Sequence, residues 1–164
     1  MKRIILTCLA ALFLGLTAKA WALRLAYVDV AEVFDQYDGT KQAKESLKAE
    51  AIKKKKELEV QQDDLQKQIE DLKAQKSVLS SAKYKEKEDK LKGEAQTLQD
   101  QVQTVQDDLG QKEKQKTKAI LEEIRGIVKD LATEEKYDYI FEKNALIFGG
   151  EDVTYKVLKQ LNSK

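Results

Sequence analysis

Leucine or alanine returns at every seventh position over one stretch of the chain: Ala51, Leu58, Leu65, Leu72 and Leu79. Further on, Leu91, Ala95, Leu98, Val102, Val105 and Leu109 alternate steps of four and three. Both patterns keep one narrow apolar stripe along a helix, the signature of a coiled-coil seam. Nearly everything off the stripe is Lys, Glu, Gln or Asp. The spacing predicts two long helices folded back on each other from about Lys41 to Lys118. The polar pair Ser80-Ser81 marks the turn, with Ser81 as N-cap of the returning helix. Each arm, about 38 residues long, would reach about 57 Å at 1.5 Å per residue. In the first arm the alternate seam positions are Lys55, Gln62, Ile69 and Lys76, and lysine there weakens a coil while fixing its register. The run Lys53 to Lys56 steps around the helix and reads as solvated surface, its stems lying over the seam. Gly93, Gly110 and Gly126 fall off the stripe of the returning helix. They are either tolerated surface positions or points that soften the arm, each costing about 1 kcal/mol relative to alanine.

The flanks follow other periods. Leu23 to Val28 reads as a short strand, and Asp29 with Glu32 has capping-box spacing for a helical turn that buries Val30, Val33 and Phe34. Asp38-Gly39 is expected to end that turn, with Thr40 as N-cap of the first arm. From Ala119 the apolar stripe widens through Ile120, Ile124, Ile127, Val128 and Leu131, enough to face a globular core. Tyr137 to Phe141 and Ala145 to Phe148 read as two strands of a hairpin turning at Asn144, ended by Gly149-Gly150. Thr154 is the expected N-cap of a last amphipathic helix carrying Val157, Leu158 and Leu161, with Val153 and Leu158 as a staple. The predicted fold class is α+β: a long antiparallel coiled-coil hairpin, residues 41–118, projecting from a small β-containing body made of residues 23–40 and 119–164. That body has a marginal core and open strand edges, so it is expected to oligomerise through its strands.

Composition narrows the function. The chain of 164 residues has no proline, which suits long helices, and no histidine. Its single cysteine, Cys8, lies in an apolar run from Ile4 to Leu16 that follows Lys2 and Arg3. With Ala20-Trp21-Ala22 behind it, this segment reads as a cleaved signal peptide, 1–22, and the mature chain as starting at Leu23. A segment of this kind implies export from the cytoplasm. No metal site and no cofactor are expected, because no Cys/His cluster and no Gly-rich phosphate loop is present. No nucleophile–base pair can be assembled, so the chain is not read as an enzyme. Export and near-neutral charge disfavour nucleic acid as a partner. Within the arms the positive charge gathers near the turn, where residues 67–92 hold eight lysines against five acids.

Leu25-Ala26-Tyr27-Val28-Asp29, the stretch Glu134 to Lys143, and the end running from Asp152-Val153-Thr154 to Leu161-Asn162 resemble the OmpH/Skp family of periplasmic chaperones. The resemblance spans the mature chain and is most specific in the two base segments. It implies a homotrimer with a central body of strands from three chains, and three hairpins hanging around a cavity. It also implies that unfolded outer-membrane proteins are held there without ATP before insertion. On this reading Leu25, Tyr27, Val28, Tyr139, Phe141, Leu146 and Phe148 form the oligomer body. The arm tip, Lys67, Lys73, Lys76, Lys83, Tyr84, Lys85, Lys87, Lys90 and Lys92, contacts clients. Lipopolysaccharide or a membrane surface is left open as a further contact. The competing reading is a periplasmic coiled-coil adaptor that grips one folded partner.

Overall fold

The computed structural model describes residues 23–163. The expected signal segment, 1–22, lies outside the described residues. Strand β1 spans Leu25–Val28, helix α1 Val30–Gln36, α2 Asp38–Ala74 and α3 Ser81–Glu135. They are followed by β2 at Tyr139–Glu142, β3 at Glu151–Asp152 and α4 at Thr154–Asn162. Helices α2 and α3 pair as the projecting hairpin, and α3 runs unbroken for 55 residues from the tip into the base.

The seam leucines and alanine lie inward as their spacing predicts, with Leu72 and Leu91 buried and Ala51, Leu58, Leu65, Leu79, Leu98, Val105 and Leu109 half-buried. The alternate positions depart from the heptad spacing. At the base end of α2 the inward lysine is Lys54, whose side chain is 41% exposed, rather than Lys55 at 78%. Gln62 and Lys76 are exposed while Ile69 is half-buried, so the second inward position moves from three residues after the first to four. A near-straight α-helix drifts by about 20° per heptad in this sense. On α3 the companion positions Ala95 and Val102 lie at the exposed edge of the seam. Across the hairpin Lys112 bridges Glu50 at 2.5 Å and Asp108 at 2.9 Å. The hydrogen bond to Glu50, then that to Asp108, pushes its pKa upward.

Two helix starts sit elsewhere than expected. Tyr37, in extended conformation, separates α1 from α2, so Asp38 and Gly39 open the arm and Thr40 is buried in its first turn. Gly39 is needed for space: a Cβ there would run into the Tyr37 ring, whose hydroxyl donates to Glu123 Oε1 at 3.0 Å. Gly39→Ala is therefore expected to displace that ring and lower stability by about 1 kcal/mol or more, as for other overpacked sites. A chemical-denaturation midpoint at or above wild type would contradict this. Ser80 rather than Ser81 caps α3, accepting from the Lys83 N–H. The Asp29 cap of α1 forms as expected, accepting from the Glu32 N–H at 2.9 Å.

The sheet differs most from expectation. It has the order β2-β1-β3 with every pair parallel, and no hairpin. Tyr137 is buried in the core rather than in a strand, and β2 starts two residues later. Lys143–Ala145 forms a 3-10 turn, fastened by the Lys143 ammonium on Asp29 at 2.9 Å. The apolar run Leu146 to Phe148 finds no strand partner among the described residues, and Ile147 and Phe148 are 105% and 96% exposed. To begin β3 beyond β1 the chain must pass β1, and Gly149 and Gly150 both take φ +92 on that path, Gly150 lying against Tyr27. Thr154 is the first residue of α4 rather than its cap: Asp152 accepts from its N–H, and its hydroxyl accepts from the Asp29 N–H. One face of the sheet packs on the helices, with Ala26 and Val28 in a core that includes Val33, Ile124, Ile127, Leu131, Val153, Val157 and Leu161.

Candidate functional site

Two surfaces carry the predicted site residues: the uncovered sheet face at the base and the tip of the hairpin. The parallel register sets Leu25 beside Tyr139 and Tyr27 beside Phe141, so these four residues share the face away from the helices. Tyr139 and Phe141 stack with ring centroids 5.9 Å apart and remain exposed, as does Leu25. Tyr27 and Leu146 are half-buried, and Phe148 is fully exposed. Val28 points the other way, into the core of its own chain, so it is not available on that face.

A polar cluster that local patterns do not reveal braces this base. The Lys156 ammonium donates to Glu135 at 2.6 Å, to Glu151 at 2.9 Å and to the Tyr137 hydroxyl at 3.1 Å. Arg24 lies over the Tyr137 ring at 4.5 Å, donates to the Glu135 carbonyl and pairs with Glu151 at 3.6 Å. Its backbone N–H donates to Asp138 at 2.7 Å. The cluster thus joins the start of β1, the end of α3, β3 and α4. The hydrogen bonds from Lys156 hold both Glu135 and Glu151 below the ordinary value of 4.5, and the same bonds raise the pKa of Lys156.

These shifts have a pH consequence. The folded carboxylates bind protons less readily than the unfolded ones. Their contribution to stability is fully present above 4.5 and is lost as pH falls through the lowered folded values. The thermal midpoint is expected to fall as pH drops below 4.5, and Lys156→Met to flatten that slope. Equal slopes for the two proteins would refute the linkage.

At the tip, Leu72 and Leu91 close the seam, and Ile69, Tyr84 and Ala95 stand around them to leave a slot of about 200 Å³. Lys73, Lys92 and Glu88 edge it. Lys92 pairs with Glu88 at 3.2 Å, and Lys76 stands 5.9 Å from the centroid of the Tyr84 ring. Lys87 and Lys90 line a groove on the seam with Gln68, Asp71 and Gln75. Lys90 pairs with Glu94 at 3.5 Å, and Lys87 donates to Gln75 at 3.4 Å. Lys67, Lys83 and Lys85 stand exposed and line neither hollow. The tip cations are therefore spread around the hairpin, and Lys73, Tyr84 and Lys92 are the predicted residues brought to the slot.

Among the described residues no group of three His, Cys, Asp or Glu is placed to hold a metal ion, and no helix is long and apolar enough to cross a membrane. The family model described as outer membrane protein (OmpH-like) matches residues 24–161. No curated protein matches the chain. The fold is similar to a crystal structure from Caulobacter crescentus described as a candidate outer membrane chaperone (OmpH-like). The TM-score is 0.79 at 16% identity, over 87% of this chain and 86% of that one.

Proposed function

Because the chain belongs to the OmpH-like outer membrane protein family, we propose that it is an ATP-independent holdase of the periplasm. It keeps unfolded outer-membrane β-barrel proteins soluble between projecting arms until they insert. The observation that carries this reading is the pairing of a long, thin hairpin with an apolar sheet face that no other described residue covers. The two belong together physically. The hairpin buries little beyond one leucine line per helix, so its surface is free to meet another chain. A single hairpin, however, encloses nothing. Copies joined through Leu25, Tyr27, Tyr139 and Phe141 set several arms around one space, and a homotrimer is the assembly proposed. The partnerless run Leu146 to Phe148 lies in the same base and is covered in the same assembly. Many weak contacts along several arms add by avidity and still exchange one by one, so release needs no nucleotide.

The export reading of residues 1–22 supports the compartment. The test is an aggregation assay without ATP, on several unrelated barrel proteins diluted from denaturant. Suppression at one assembly per client is expected for all of them. A chain that ignores unfolded barrels and captures one folded partner is an adaptor, and that result overturns the proposal.

A further inference from the structure

We infer that the slot between α2 and α3 at the arm tip is a receptor for one aromatic side chain of an extended client, with a neighbouring client carboxylate seated on Lys73. The inference rests on the holdase reading and adds a defined binding point to it.

Size, lining and charge each constrain the occupant. The slot, about 200 Å³, is floored by Leu72 and Leu91, the two buried leucines of the arm. Pockets for drug-sized ligands run to about 300–1,000 Å³, so this one fits a single side chain rather than a cofactor. Its walls are Ile69, Ala95 and the half-buried Tyr84 ring, surfaces suited to an offset-stacked or edge-on aromatic group. At its rim Lys92 is paired with Glu88, whereas Lys73 has no ion-pair partner among the described residues. The surrounding stretch 67–92 adds an excess of lysine over acid, so a carboxylate beside the bound ring is drawn in.

Two hollows farther down the hairpin lack this combination. The one nearer the base sets Lys44 and Lys48 beside Leu47 and Leu109 but has no aromatic wall. In the other, Leu65 and Leu98 are ringed by Gln61, Asp64, Gln68, Glu94 and Gln101, with no lysine lining it. Unfolded barrel strands carry aromatic residues at their ends, in the girdles they form once inserted. Each client therefore offers many such side chains, and one slot per arm can pass from one to the next.

The chain from Leu23 onward contains no tryptophan, Trp21 being its only one. A short peptide with one tryptophan between two aspartates therefore reports its own burial by indole emission. Saturable binding with a blue shift is expected for the residue 23–164 assembly. It should be weaker by roughly tenfold for the peptide with lysines in place of the aspartates. Ala95→Leu, at an exposed helical position, should fill the slot and abolish the shift while helicity stays unchanged. Lys73→Glu should reverse the preference between the two peptides, which a purely structural role for Lys73 does not predict. Equal binding of both peptides, no shift with either, or full binding by Ala95→Leu overturns the slot. If wild type suppresses barrel aggregation and Ala95→Leu does so equally well, the slot falls and the holdase reading stands. If the peptide binds as expected and wild type fails to suppress aggregation, the holdase reading falls and the slot stands.

Discussion

Phe141→Asp is expected to yield a folded chain that no longer assembles. Phe141 sits on the uncovered sheet face, stacked on Tyr139 and away from the core. An aspartate there is solvated in the single chain, so helicity should be retained. In an assembly the same carboxylate enters an apolar interface without a partner, at a cost of several kcal/mol per buried ion. The proposed three-fold arrangement repeats that cost in every copy. Light scattering should report the mass of one chain where the proposed wild-type trimer gives three, and suppression of barrel aggregation should be lost with it. A variant that keeps the wild-type mass would show that the copies meet elsewhere.

Ile124→Ala should have the largest effect on folding itself. Ile124 is 0% exposed and packs among Val33, Val153 and Val157, which bring α1 and α4 against α3. Truncating such a side chain removes burial and leaves a cavity, together about 2–5 kcal/mol. In a base this small the thermal midpoint should fall by at least ~10 °C. Ile52→Ala is the control, since Ile52 is 60% exposed on the arm and its truncation should change stability by no more than about 0.5 kcal/mol. Similar midpoints for the two variants would mean that the core centre has been misplaced.

The arms were legible in the sequence because a heptad is a local signal. Seven-residue spacing fixed which leucines turn inward before any partner was known, and the widening stripe from Ile120 to Leu131 marked where the same helix enters the core. The sheet was not legible, because its order depends on contacts between distant segments. Ala145 to Phe148 has strand composition, yet the chain has to carry β3 past β1, and two consecutive positive-φ glycines provide that path. In the sequence alone Gly149-Gly150 marks only an end to the run, not a crossing. Arg24, Glu135, Glu151 and Lys156 are hidden for the same reason: single charges scattered along the sequence carry no spacing that announces a cluster. At the tip, the lysine excess was visible by counting. Which lysines share a hollow with Tyr84 was not, because that depends on how the two helices are set side by side.

The unbroken 55-residue helix α3 is at once a wall of the core and the shaft of the arm. Roughly 40 of its residues lie between Ser81 and Ile120, a lever of about 60 Å at 1.5 Å per residue. A tilt of 10° at the fulcrum would sweep the far end through about 10 Å over that length. A small readjustment where Ile120 and Ile124 seat in the base would thus displace the far end of the arm widely, and in the proposed trimer that displacement resets an aperture sized for guests of different girth.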